Sequence, residues 1–112
     1  MKRLAFVSRR APRGKRYAAE GLQAAKMAVA FDVPCVLILL DEAVWWLVGK
    51  PTAPHVRELL ELRALGCQRI VADAEALAIH GIETNDVAVP VEPLSRAAIS
   101  AVLASTDVVL TY

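Results

Sequence analysis

Apolar residues along the chain fall into short unbroken runs separated by stretches with helical spacing. Leu4 to Val7 is a continuous apolar run closed by the polar Ser8-Arg9-Arg10. It predicts a strand buried on both faces, the kind found in parallel sheets. Pro12 and Gly14 mark Ala11 to Lys15 as a loop. From Tyr17 to Phe31, Leu22, Ala25, Val29 and the surrounding alanines recur at helical spacing, and Val33-Pro34 ends the helix. Cys35 to Leu40 is the strongest strand signal. Glu42 to Val48, carrying Trp45 and Trp46, predicts a short helix closed by Gly49-Lys50-Pro51.

Pro54 to Leu65 is amphipathic, with Val56, Leu59, Leu60 and Leu62 on one face and Arg57, Glu58, Glu61 and Arg63 on the other. Gly66 stands where a C-cap glycine belongs. A third strand is expected over Arg69 to Ala72 and a short helix over Ala74 to Ile79, ended by His80-Gly81. Val87 to Val91 predicts a fourth strand or extended segment, with Pro90 favouring an edge. Pro93 is expected to open the last helix, which runs to about Ala104. Asp107 to Leu110 closes the chain as a fifth strand. Strands alternating with helices imply right-handed crossovers. The expected architecture is α/β: a single three-layer domain over residues 1–112 with a mostly parallel sheet of about five strands.

Composition narrows the classes. The 112 residues are 56% hydrophobic and 22% charged, which suits a packed core and excludes a disordered segment. The longest apolar run, Val33 to Leu40, is about 8 residues against the roughly 20 that a membrane span requires. The apolar stretch after Met1-Lys2-Arg3 is too short for a signal peptide. The expected setting is the cytoplasm, with no membrane partner. Cys35 and Cys67 match no metal spacing and define no disulfide framework; no metal or cofactor is expected.

A net charge of +1 conceals an asymmetry, because residues 1–16 hold seven basic and no acidic side chains. Arg9, Arg10, Arg13, Lys15 and Arg16 follow a strand C-terminus, where open α/β sheets collect ligands. They are candidates for an anion, an acidic partner or RNA, although no Gly-x-Gly-x-x-Gly or Walker pattern supports a nucleotide. Adjacent tryptophans on a short helix point about 100° apart. One of Trp45 and Trp46 is therefore expected at the surface, where tryptophan favours protein interfaces. Cys35 reads as a small buried hydrophobe and Cys67 as an inert thiol. His80 suits a helix C-terminus without catalysis. Asp41 and Asp73 end strands and are expected to cap the helices that follow.

The stretch Ala11-Pro12-x-Gly14-x-x-Tyr17-Ala18-x-Glu20-Gly21-Leu22 is similar to the segment after the first strand in DsrE/DsrF-like proteins, the TusC/DsrF type in particular. The likeness continues through Ala30-Phe31-Asp32, Val36 to Leu40 and Asp41-x-Ala43-Val44-Trp45-x-Leu47. It returns at Ala76-Leu77 to Gly81-Ile82 and at Asp107-Val108-Val109-Leu110-Thr111-Tyr112. The resemblance implies a subunit of a sulfur-relay assembly, which passes persulfide sulfur between cysteines for tRNA thiolation or sulfur oxidation. It implies DsrE/TusD-like and DsrH/TusB-like partner subunits in a hetero-oligomer, with a homo-oligomer as the alternative. The family's persulfide cysteine ends the third strand; counting back from Gly81, that place is Asp73, so no catalytic residue is assigned.

Three readings stand beside one another. In the first, a non-carrier subunit meets its partner through Trp45, Trp46, Pro12, Gly14 and Tyr17. In the second, the chain carries persulfide itself, on Cys67. In the third, a homo-oligomer binds an anionic ligand or RNA through the basic loop.

Overall fold

An apolar run with no polar alternation has two faces to bury, and the computed structural model supplies a cover for each. It describes residues 2–12, 16–67 and 69–111, with backbone alone for residues 16–21. Strands β1 (Leu4–Ser8), β2 (Cys35–Leu39), β3 (Arg69–Asp73), β4 (Glu92–Leu94) and β5 (Val108–Thr111) form one sheet in the order β4-β3-β2-β1-β5. Every pairing is parallel, and the register sets Phe6 against Leu37 and Leu37 against Ile70.

Alternate residues point to opposite faces. Phe6, Leu37, Leu39, Ile70 and Ala72 lie on the face covered by α1 (Arg16–Ala30), α2 (Pro54–Leu65) and α3 (Ala74–Ile79). Ala5, Val7, Val36, Ile38 and Val71 lie on the other, covered by Ile99, Val102 and Leu103 of α4 (Arg96–Ala104). The result is three unequal layers. Fully buried leucines such as Leu59 and Leu62 each contribute about 1.5–3 kcal/mol. Lys26 of α1 binds both Glu58 and Glu61 of α2, tying the first two helices together. Gly66 ends α2 at φ 128°, and a Cβ there would lie 3.1 Å from Val29 of α1. Glycine is required both for the turn and for the close approach.

Two expectations are corrected. The fourth strand is Glu92–Leu94, not Val87 to Val91. Val89 is buried in the first core from an irregular segment, so the apolar run there reflects packing without a ladder. Nor does Pro93 open the last helix. It pairs with Ala72 in β4, an edge strand, where one side has no neighbour to bond. Ser95 caps α4 instead, its hydroxyl accepting the Ala98 N–H at 3.1 Å.

The tryptophan helix is a 3-10 helix over Asp41–Leu47. With three residues per turn, side chains three apart align in rows. Ala43, Val44, Trp46 and Leu47 are buried, whereas Glu42, Trp45 and Val48 form one exposed row.

Candidate functional site

The strand C-termini carry a chain of charges. Asp73 closes β3 and is 1% exposed. Its Oδ1 accepts the Glu75 N–H at 3.1 Å, capping α3 as expected. Its Oδ2 accepts from Arg96 Nε at 2.8 Å. Arg96 also reaches Asp41 at 3.3 Å, and Asp41 pairs with Arg9 at 3.6 Å. The series Asp73–Arg96–Asp41–Arg9 thus draws on the C-terminal ends of four neighbouring strands, and its charges balance. Asp41 makes no cap bond, contrary to expectation. It sits at φ 52°, a turn that aspartate tolerates, and its carboxylate serves the two arginines. Ser8, ending β1, is 2% exposed, and its hydroxyl has no hydrogen-bond partner among the described residues.

Beside this edge lies an aromatic groove. Trp45 is 37% exposed, and its ring meets His80 edge-on at 5.4 Å. Trp46 is buried; its indole N–H donates to the Arg10 carbonyl at 3.0 Å and holds the segment after β1 against the 3-10 helix. His55 Nε2 pairs with the Val48 carbonyl. Pro12, Trp45, Val48 and His55 line a groove of about 560 Å³.

The structure therefore brings Pro12 and Trp45 together and places Trp46 beneath the surface. Arg9 is engaged by Asp41, and the Arg10 carbonyl by Trp46. Arg13, Gly14 and Lys15 lie outside the described residues, and Arg16 and Tyr17 open α1 with backbone alone described. No cluster of three or more metal-ligating side chains occurs among the described residues. This edge offers fixed charges and a groove lined by Glu42 and His55 as well as by Pro12, Trp45 and Val48, and no thiol.

Arg96 escaped sequence reasoning because it lies 23 residues from Asp73. The usable signal was Ser95 ahead of an apolar helical run, an N-cap signature that would have put Arg96 at the strand edge.

The thiols lie at the opposite end of the sheet. Cys35, which opens β2, is half-buried, correcting the expected buried hydrophobe; Cys67, just ahead of β3, is 1% exposed. They adjoin one another. The Cys67 thiol donates toward the carbonyls of Cys35, at 3.7 Å, and Arg69, at 3.5 Å. The interaction with Cys67 pushes the Cys35 thiol up, with burial adding to the rise, and the same interaction pushes Cys67 down against its burial, aided by backbone hydrogen bonds. The available signal was that sequential strands neighbour one another, so residues opening consecutive parallel strands share an edge.

A single parallel sheet in this order, with helices on both faces and a polar strand edge, defines a small doubly wound α/β domain. The model of the DsrE/DsrF-like family matches residues 2–112, and the chain belongs to that family. Among solved structures, it resembles the ychN protein from E. coli, at 22% identity and TM-score 0.85 over 100% of both chains. It also resembles the conserved protein of unknown function BT1422 from Bacteroides thetaiotaomicron, at 14% identity and TM-score 0.74, over 99% of this chain and 95% of that one. Both likenesses concern the fold. No curated protein matches the chain in sequence. Among the described residues, no helix is long and apolar enough to cross a membrane.

Proposed function

We propose that the chain is a non-carrier, TusC/DsrF-type subunit of a persulfide relay, which docks a DsrE-type subunit and positions that subunit's persulfide cysteine. The observation that carries this reading is Asp73. At the strand end where the family resemblance implies the sulfur-bearing cysteine, this chain has a buried carboxylate held by a helix cap and by Arg96. A carboxylate cannot bear persulfide, so in this reading the sulfur arrives on another chain.

The groove of Pro12, Trp45 and Val48 is the docking surface in this reading. Its half-exposed indole suits an interface anchor, while the ion-pair series behind it keeps the edge rigid.

The test is sulfur transfer from a persulfide donor to an acceptor thiol, with and without a DsrE-type subunit that carries the strand-end cysteine. We expect no transfer by this chain alone. We expect at least about tenfold faster transfer when it joins that subunit, and loss of most of the gain in Trp45→Ala, in line with hot-spot losses of about 2 kcal/mol. Transfer by the purified chain alone would overturn the reading, as would a gain indifferent to Trp45.

A further inference from the structure

The sulfur proposal leaves both cysteines unused, and they sit where strands begin, away from the Asp73 edge. Cys67 packs within the first core and Cys35 against it. The Cys67 Sγ lies 3.7 Å from the carbonyl oxygen of Cys35, so the two residues touch where the adjacent strands β2 and β3 begin. Their exposure differs. Cys35 faces a cavity of about 300 Å³ whose walls include Arg3, Arg69 and Gly66, whereas Cys67 is not among the lining residues. A reagent entering the cavity meets Cys35 first, between walls to which Arg3 and the Glu92-bound Arg69 contribute.

We infer that Cys35 and Cys67 are a redox-active dithiol, in which Cys35 exchanges with an anionic low-molecular-weight disulfide of the glutathione disulfide type and Cys67 resolves the adduct. Cys35, as thiolate, attacks one sulfur of the reagent disulfide. That S–S bond breaks, a Cys35–glutathione disulfide forms, and the departing thiolate takes up the proton Cys35 gave up. Cys67, as thiolate, then attacks the Cys35 sulfur, and the second glutathione leaves carrying the Cys67 proton. The protein dithiol loses two electrons and becomes the Cys35–Cys67 disulfide; the reagent disulfide gains them and becomes two thiols. The positive charge of Arg3 at the cavity wall favours a carboxylate-bearing reagent, and because contact with Cys67 and burial push the Cys35 thiol up, loss of its proton sets the pace of the first step. Backbone hydrogen bonds and the nearby Arg63 charge favour the Cys67 thiolate inside the core, out of reach of a bulky disulfide but beside Cys35. This chemistry concerns the edge opposite the proposed docking groove and does not depend on it.

The experiment treats the reduced, folded chain with glutathione disulfide, then blocks remaining thiols with an alkylating agent under denaturing conditions and reads the intact mass. The wild type should pass from two alkylatable thiols to none, with its mass lower by two hydrogens and no glutathione retained. Peptide mapping should give one Cys35–Cys67 cross-link. Cys67→Ser should stop at a lasting glutathione adduct on Cys35, and Cys35→Ser should keep Cys67 free. Arg3→Glu should slow wild-type oxidation several-fold. Two thiols still open to alkylation in the wild type would overturn the inference, as would an adduct that persists on its Cys35 or a cross-link between two chains. The wild-type readout decides the matter even where a serine variant fails to fold.

Discussion

Two ion pairs tie β3 to the segment that begins with β4, one at each end of the strand, and they are built in opposite ways. At the start, Arg69 grips Glu92 with two hydrogen bonds, of 2.9 and 3.0 Å, and both side chains are about half exposed, at 45% and 46%. At the finish, Asp73 accepts from Arg96 at 2.8 Å, and the carboxylate is 2% exposed. The Arg69 pair has the better geometry, yet the Asp73 pair has more at stake. An exposed pair exchanges water for a partner at nearly equal cost, whereas a buried carboxylate without its partner has nothing to replace it. The difference extends to chemistry. One end of the sheet is a locked carboxylate beside an aromatic groove; the other is an open cavity onto Cys35, with Cys67 buried behind it.

Removing the arginine at the locked end should show the largest effect. Arg96→Ala leaves Asp73 with the bond from the Glu75 N–H and leaves Asp41 with Arg9. Arg96 is itself about half exposed, so the loss should fall below that of a fully buried pair, at about 2–3 kcal/mol in urea unfolding. Adding Asp73→Asn to Arg96→Ala should recover part of that loss, because the stranded charge goes with its partner. A loss under about 0.5 kcal/mol would put the pair on a par with a surface bridge and erase the contrast.

Trp46→Phe should come next. It keeps most of the buried ring and removes the hydrogen bond to the Arg10 carbonyl, for a loss of about 1 kcal/mol. It should also speed tryptic cleavage after Arg9 and Arg10, since the indole pins that segment to the 3-10 helix. Unchanged cleavage would show that contacts other than the indole hold it, the Arg9–Asp41 pair among them.

Much of this arrangement could be anticipated from residue patterns, and the failures share a physical cause. The run from Cys35 gives the strongest strand signal because no polar residue interrupts it, and β2 is indeed central. The tryptophans were separated by angular reasoning, but which of them faces water was decided by a three-residue period that composition does not announce. Val87 to Val91 reads as a strand because it is a short apolar segment, and Val89 is indeed fully buried; burial and ladder pairing leave the same trace in a short segment. Asp73 was identified as a helix cap from its position alone. Its bond to Arg96, and the meeting of Cys35 with Cys67, depend on which strands adjoin, information spread over tens of residues. The basic loop was the clearest charge signal, and the structure engages Arg9 and the Arg10 backbone locally.

The smallest expected effect belongs to the exposed pair, and it has a signature in pH. The hydrogen bond from Arg69 holds the Glu92 carboxyl below the ordinary glutamate value of 4.5, against a modest opposing push from burial and with help from the guanidinium charge. A carboxyl whose value is lowered by folding binds fewer protons in the native than in the unfolded chain through that window, so stability rises with pH there. The pair's contribution is complete above the ordinary glutamate range and disappears as the pH falls through the lowered value. Because both partners are half exposed, it should amount to about 0.5 kcal/mol. Glu92→Gln should therefore cost about that much near neutrality and nothing in strong acid, and added salt should shrink the difference. If Glu92→Gln instead cost as much near neutrality as Arg96→Ala, then geometry rather than burial would rank the two ends, and the open end of the sheet would be held as firmly as the locked one.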